Sequence, residues 1–267
     1  MIPKIIHYCW FGRGEMPNLV MQCIASWHRY MPDWEYRLWN EDSLKPILNP
    51  SLKGRNSNST DNLLVGLEEN DWLDYMPAYV QEAYAAKKYA FVSDYVRLWA
   101  LEREGGLYMD VDFEVYKPFD DLMEKYDAYA GYEGSKRNPV MMGVIAAKAH
   151  HPWIQGMLQT YNQRSFMKVD GLYDMTPNTG YFLNWMQERG FVADGKEKDF
   201  MDVHILPVEC FYPILTTGEN FRGERTYCEH KGLHSWSGSG GWKEKVLSAL
   251  GEKWKIKLIK FKRNLLG

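Results

Sequence analysis

Residues 93–112, SDYVRLWALEREGGLYMDVD, contain the pattern that most strongly indicates the fold of this chain. They begin inside a helix predicted over 79–103, and the pair Gly105 and Gly106 predicts a sharp end to that helix. The apolar residues that follow predict a strand over 107–115. The stretch is therefore expected to form a helix, a stop and a strand that carries acidic residues.

Asp110 and Asp112 lie near the end of the predicted strand. Because strand side chains alternate, both carboxylates would point the same way, with Val111 turned toward the core. In open α/β sheets, ligands bind beyond the carboxyl ends of the strands, and paired carboxylates there suit Mg2+ or Mn2+. Two solvated acids at a strand edge would give the same pattern, so the pair alone does not decide the matter.

Asp94 and Arg97 lie one helical turn apart on the preceding helix, whose other residues are apolar almost all round. A charged pair on such a helix is expected to be buried, and therefore to be paired or used on a ligand. An arginine there could hold a phosphate or a hydroxyl in its planar fork. His230 and His234 could complete a metal site, and the sequence leaves open which of them does.

The rest of the chain alternates between strand and helix signals, which predicts an α/β fold with a mainly parallel sheet flanked by helices. At 267 residues the chain can form one domain, or a domain with an appendage. The other predicted strands are 4–10, 34–39, 127–132, 140–146 and 203–207, and the other predicted helices are 19–30, 152–163 and 179–188.

Composition narrows the class of protein. A net charge of -3 offers no general argument for nucleic-acid binding. The four cysteines are scattered without a CxxC pair, which favours free buried thiols over a zinc site. The chain has no signal-peptide core and no apolar run long enough to span a bilayer, so a cytoplasmic protein is expected.

The last segment, 243–267, is basic, and its apolar residues recur at steps of three and four. This pattern predicts an amphipathic helix. Such a helix could dock on an anionic membrane surface or pack on the core with a solvated basic face, and the sequence leaves both open.

The central motif, Ser93-Asp94-x-x-Arg97 followed by Gly105-Gly106-x-Tyr108-x-Asp110-x-Asp112, resembles the DXD-containing sugar-binding region of a glycosyltransferase family. That family includes bacterial capsular polysaccharide transferases and yeast initiating mannosyltransferases, with clostridial glucosylating toxins as distant relatives. The opening IPKIIHYCWFG is similar to the family's first strand, and His230-x-x-x-x-Ser235-Trp236 to its final motif. The resemblance covers roughly residues 2–236.

The resemblance implies a GT-A fold over residues 1–242, a divalent cation, Mn2+ or Mg2+, and retention of anomeric configuration. A nucleotide-sugar, more often a UDP- than a GDP-sugar, would be the donor, and a saccharide or lipid-linked saccharide the acceptor. The residues that it implicates divide by expected role. Ile6, His7 and Trp10 would line the base site, and Ser93, Asp94, Arg97 and Asp110 would meet the sugar and phosphate. Asp112, His230 and Asp110, with His234 as an alternative, would hold the metal. Ser235 and Trp236 would contact the β-phosphate.

Asp94, Arg97 and Asp112 are thus the expected catalytic residues. Two other functions remain open from the sequence. The same aspartates could serve a metal-dependent phosphoesterase or nucleotidyltransferase, which would need further clustered ligands. The aromatic content of 15% could belong to a non-catalytic carbohydrate-binding module, which would leave Asp94 and Arg97 unexplained.

Overall fold

The computed structural model describes residues 1–48, 71–134, 139–215 and 217–232. The predictions for Ser235, Trp236, His234 and the basic segment 243–267 therefore lie outside the described residues. Within them, the α-helices follow one another in this order: α1 (Asn18–Tyr30), α2 (Glu41–Leu48), α3 (Ala78–Ala85), α4 (Tyr89–Glu104), α5 (Asp120–Lys125), α6 (Pro152–Gln159) and α7 (Asn178–Gln187).

The strands of the described residues form a large sheet and a small one. They are β1 (Ile5–Cys9), β2 (Glu35–Trp39), β3 (Gly106–Met109), β4 (Phe113–Val115), β5 (Ala128–Tyr132), β6 (Val140–Ala147), β7 (Lys198–Phe200), β8 (Val203–Leu206) and β9 (Cys228–His230). The large sheet has the order β2-β1-β3-β6-β5-β8-β7, and β4 pairs with β9 in the small one.

Five strands of the large sheet run in one direction, and only β6 and β7 oppose them. The predicted α/β class with a mainly parallel sheet is therefore confirmed. The carboxyl ends of β1, β3 and β5 meet at one edge of this sheet, which is where ligands bind in such folds.

The core lies on both faces of the large sheet. All eight residues of β6 are buried, and neighbours along it contribute to opposite faces, Met142 to one apolar cluster and Met141 to the other. The first cluster joins the sheet to α4, α6 and α7, and the second joins it to α1 and β4. The Trp27 indole of α1 donates a hydrogen bond to the Phe113 carbonyl at 2.7 Å, which fixes β4 against that helix.

Two sequence predictions are corrected in the central stretch. The predicted helix over 79–103 is interrupted between α3 and α4, where Lys87 has a positive φ of 56°. The predicted strand over 107–115 is interrupted as well, because Asp110, Val111 and Asp112 form a turn in which the Phe113 amide donates to the Asp110 carbonyl at 3.2 Å. Strand alternation therefore does not orient the two carboxylates. Val111 packs against the apolar core, as predicted, and also lines a cleft.

The glycine stop is confirmed. Gly105 and Gly106 have φ values of 65° and 115°, which only glycine adopts without strain, and they turn the chain from α4 into β3. The four cysteines are free and buried, as predicted. In the described part of the chain, no helix is long and apolar enough to cross a membrane.

Candidate active site

A cleft of about 800 Å³ opens at the carboxyl edge of the large sheet. It is enclosed by the loop after β1, the amino-terminal half of α4, the turn after β3, the start of α7 and the end of β9. Seven residues implicated by the sequence line it: Trp10, Ser93, Asp94, Arg97, Asp110, Asp112 and His230. These residues come from four separate segments, so the fold brings most of the expected site together.

Asp94 and Arg97 are buried, as the apolar helix around them predicted, with exposures of 9% and 5%. The Arg97 Nη2 donates to Asp94 Oδ1 at 2.8 Å, and the side-chain Nδ2 of Asn178 donates to the same oxygen at 2.7 Å. Both bonds fall on Oδ1, which leaves Oδ2 of this cleft-lining residue to accept from a ligand hydroxyl. Asn178 is the first residue of α7, so this helix and α4 hold one carboxylate between them.

Arg97 also orients Asp110. Its Nη1 donates to the Met142 carbonyl at 2.6 Å, its Nη2 lies 3.4 Å from Asp110 Oδ1, and its guanidinium stacks over the Tyr108 ring. The Tyr108 hydroxyl donates to the same Asp110 oxygen at 2.8 Å. Most of the guanidinium is thus used on protein acceptors, so Arg97 acts here as a clamp between two carboxylates.

Burial shapes the charge of this cluster. It raises the pKa of Asp94 to about 6, although the Arg97 guanidinium pulls it down. Burial likewise raises the pKa of Asp110, again against Arg97. The two carboxylates keep the pKa of Arg97 raised despite its own burial. The cleft therefore places two carboxyl groups with raised pKa values beside one permanent positive charge.

Asp112 meets His230 across the small sheet. β4 and β9 are antiparallel with Phe113 opposite His230, and the Lys231 amide donates to the Asp112 carbonyl at 2.8 Å. This pairing sets His230 Nε2 3.1 Å from Asp112 Oδ2. The imidazole packs against Phe113 and stacks on Tyr212, which fixes its orientation. Burial alone would lower the pKa of His230, but the nearby Asp112 carboxylate outweighs burial, so that the pKa is raised.

The Asp112 and His230 pair fits a divalent cation. Adjacent ligands of an octahedral ion with bonds of about 2.1 Å lie about 3 Å apart, which matches the separation of these two atoms. A carboxylate with an imidazole is a donor set that suits Mn2+. Across the described ranges no group of three or more His, Cys, Asp or Glu side chains is arranged to hold a metal.

The opening segment divides between the cleft and the core. Trp10 is half-buried, lines the cleft, and donates from its indole nitrogen to the Gly14 carbonyl at 2.6 Å. Ile6 and His7 are fully buried in β1 and are not among the cleft-lining residues. His7 Nδ1 accepts from the Trp39 indole at 3.1 Å and its Nε2 donates to the Gly105 carbonyl at 2.7 Å, while burial lowers its pKa to about 4.

Three further residues line the cleft that were given no individual role from the sequence: Tyr108, which stands in the central motif, Asn178, and Glu133 directly after β5. Asn178 stands in the segment TPNTGY, where a proline precedes the helix, but nothing in that segment indicates which helix or strand its side chain will contact. Glu133 follows a fully buried strand. A polar residue directly after the carboxyl end of such a strand is the feature of the sequence that indicates a place in the ligand cleft.

Comparison with known proteins finds a match for the part of the chain that contains the central motif, residues 93–112. Residues 17–129 match the family model described as a glycosyltransferase sugar-binding region containing a DXD motif. This confirms the predicted resemblance. Inositol phosphoceramide mannosyltransferase 1 of Schizosaccharomyces pombe is 26% identical over 180 residues, which are 64% of this chain and 47% of that protein. The chain thus spans about half the length of this curated relative.

Several solved structures that are similar to the chain are glycosyltransferases. The PaToxG glycosyltransferase matches with a TM-score of 0.45 and 20% identity over 71% of each chain. The galactosyltransferase LgtC, solved with donor and acceptor sugar analogues, matches with a TM-score of 0.41 and 12% identity over 94% of this chain and 99% of its own.

Proposed function

We propose that this chain is a retaining, metal-dependent glycosyltransferase of the GT-A type. Its donor is a nucleotide-sugar, with UDP the expected nucleotide by resemblance to the bacterial members of the family. Its acceptor is a saccharide or a lipid-linked saccharide of surface polysaccharide synthesis. Residues 1–242 form the catalytic domain in this proposal, and 243–267 form a basic tail that meets a membrane surface.

The pairing of Asp112 with His230 carries the proposal. These residues are distant in sequence, yet the small sheet sets their side chains 3.1 Å apart in the cleft that also contains Asp94, Arg97 and Asp110. A cation held by two protein ligands keeps positions for diphosphate oxygens and water. That arrangement favours a nucleotide-sugar over the two-metal phosphoesterase, for which the described residues offer no larger cluster of ligands.

The Asp94 carboxylate is the proposed anchor for the donor sugar. Its Oδ1 is held by Arg97 and Asn178, so its Oδ2 is positioned to accept a hydrogen bond from a sugar hydroxyl. Because the residue is buried, such a bond would be stronger than in water. Asp110, held by Tyr108 and Arg97, would accept from a further hydroxyl of the sugar or ribose. Trp10 offers the cleft a half-buried aromatic face for the base.

A divalent cation on Asp112 and His230 would neutralise charge that develops on the departing diphosphate. Ser235 and Trp236, which lie outside the described residues, are proposed to contact the β-phosphate. Arg97 would hold the two nearby carboxylates in place for the donor through its N–H groups.

The proposed reaction is a front-face substitution. The bond between the anomeric carbon and the diphosphate oxygen breaks, and the acceptor hydroxyl oxygen bonds to that carbon from the same side. The acceptor proton passes to the departing phosphate oxygen. The three cleft aspartates are engaged by Arg97, Tyr108 or His230, so a role in binding and orientation suits them better than covalent attack.

Thermal denaturation with a panel of nucleotides tests the proposal. UDP with Mn2+ should raise the melting temperature, and UDP or Mn2+ alone should raise it far less, because the ion and the diphosphate share one site. Hydrolysis of UDP- and GDP-sugars with Mn2+ then identifies the donor. Stabilisation by free sugars without nucleotide would instead indicate a carbohydrate-binding module, and hydrolysis of simple phosphate esters would indicate a phosphoesterase.

A further inference from the structure

Residues 167–173 form a short hairpin that projects from the domain. Met167 and Tyr173 pair as an antiparallel bridge, and the Lys168 amide donates to the Leu172 carbonyl at 2.8 Å. Gly171, with a φ of 78°, makes the turn, and nothing lies within 4 Å of the position its Cβ would take. The turn is therefore open to its surroundings.

Large apolar side chains are concentrated on this hairpin. Val169 has a relative exposure of 110%, Leu172 of 65%, Met167 of 50% and Tyr173 of 44%. Elsewhere in the described residues, exposed large apolar side chains are spread along the chain: Met1, Met21, Tyr75, Val192, Met201 and Phe221. Single exposed apolar residues are ordinary, but four within seven residues form an apolar patch, in which Tyr173 also stacks on the buried Phe166 ring.

The base of the hairpin is firmly attached to the domain. Phe166 is fully buried and packs against Tyr79 and Phe91. Glu82 of α3 accepts hydrogen bonds from the Ser165 hydroxyl at 2.7 Å and from the Met167 amide at 2.8 Å. A tip held on such a base cannot fold back to bury its apolar side chains without breaking these contacts.

The hairpin is continuous with the wall of the cleft. The chain leaves Tyr173 and reaches Pro177, Asn178 and Thr179, which line the cleft, within a few residues. On the other side, α3 carries Glu82 at the hairpin base and leads to Lys87, which also lines the cleft. The apolar tip is thus joined on both sides to segments that form the rim.

We propose that the 167–173 hairpin inserts its apolar tip into the surface of a lipid bilayer and so holds the cleft over a lipid-linked acceptor. This inference rests on the proposed function, which supplies the lipid-linked acceptor. Val169 and Leu172 are so exposed at the tip that they suit a fluid, deformable surface, whereas protein hot spots fill pockets. Lys168 and Asp170 balance each other, so insertion depends on apolar contact and not on lipid charge.

A label on the tip tests this in the full chain. Since all four native cysteines are buried, Val169→Cys can be labelled selectively with an environment-sensitive fluorophore, and Val192→Cys, 63% exposed, is the matched control. Phosphatidylcholine vesicles at raised salt are used, because these conditions suppress binding by the basic segment 243–267. The Val169 label should brighten and shift to the blue, and the Val192 label should not.

Co-sedimentation gives a second readout. Val169→Asp with Leu172→Asp should weaken vesicle binding by about tenfold or more, because two inserting apolar groups become charged. Met21→Asp with Val192→Asp should bind as the unaltered chain does. Equal responses of both labels, equal binding of both variants, or a label shift that needs only more protein and no vesicles would overturn the proposal. Neither readout uses catalysis, so a failure of the proposed glycosyl transfer would be seen separately, in donor hydrolysis.

Discussion

The buried position of Asp94 disfavours the ionised form of its carboxyl group. Its pKa in the folded chain, about 6, lies above the ordinary value of 3.8 because burial disfavours the ionised form. An acid whose folded pKa is raised contributes stability that is fully present below its unfolded pKa. That contribution is lost as the pH rises through the folded pKa, here between about pH 4 and pH 6.

Asp94→Asn should therefore change how stability depends on pH. From pH 3 to pH 7 the free energy of unfolding of the unaltered chain should fall, relative to the variant, by about 3 kcal/mol, at about 1.4 kcal/mol for each pH unit between the two pKa values. Urea unfolding of both proteins at each pH measures the difference. A difference that stays constant across this interval would contradict the raised pKa.

Asp112 and His230 should be needed for cation binding. Asp112→Asn and His230→Ala are each expected to weaken Mn2+ binding by about tenfold or more, because each removes one of two protein ligands. Isothermal titration with Mn2+ measures this without any substrate. Asp199 and His204 form another Asp–His pair, 2.7 Å apart and outside the cleft, so Asp199→Asn and His204→Ala are the matched controls and should leave Mn2+ binding unchanged.

At the scale of elements, the sequence indicated most of the large sheet and its helices. β1, β2, β5, β6 and β8 lie within two residues of the predicted strands. The apolar character of β1, β5, β6 and β8 indicated strands because a buried strand must be apolar whatever its partners, whereas alternation indicated β2. The apolar surroundings of α4 likewise predicted the burial of Asp94 and Arg97. These features follow from local composition, which a single sequence records.

The small sheet was beyond the reach of the sequence. β9 has only three residues, Cys228–His230, and two of them are polar, so it has no strand signal of its own. Its pairing with β4 depends on contacts between distant segments. The family resemblance suggested His230 as a ligand. Only the structure shows that Asp112 lies in a turn and meets His230 across a two-stranded sheet.

The approach of β6 to the turn after β3 leaves room for no side chain at Gly143. A Cβ there would lie 2.8 Å from Asp110 Oδ2 and 2.8 Å from the Phe113 ring. Gly143→Ala should therefore displace Asp110, lower donor hydrolysis by about tenfold or more, and cost about 1–3 kcal/mol of stability. Steady-state kinetics and thermal melting measure the two effects.

Gly180→Ala is the control for that substitution. Gly180 lies in α7, and its nearest neighbour would be the Thr176 methyl group at 3.9 Å. An alanine in a helix should slightly stabilise the protein and leave hydrolysis as it was. If both variants behaved alike, crowding of Asp110 would not be the cause.

At the scale of the whole molecule, the cleft is assembled from segments between Trp10 and His230 that only the folded sheet brings together. Asn178 illustrates the consequence: its hydrogen bond to Asp94 joins α7 to α4, and no spacing in the sequence relates the two. Ser235 and Trp236 are the last residues proposed to contact the donor, and the basic segment begins at residue 243. We therefore expect binding of the donor to be separable from the contact that the basic segment makes with a membrane.

A chain ended after Trp242 tests this separation. It should keep its melting temperature, its stabilisation by UDP with Mn2+ and its donor hydrolysis, because the described cleft and both proposed phosphate contacts, Ser235 and Trp236, are retained. Binding to vesicles rich in anionic lipid should become insensitive to salt, since the lysines of 243–267 would supply the salt-dependent part. The binding that remains at high salt should then depend on Val169 and Leu172. A shortened chain that binds anionic vesicles with unchanged salt dependence would show that the basic segment makes no contact with lipid.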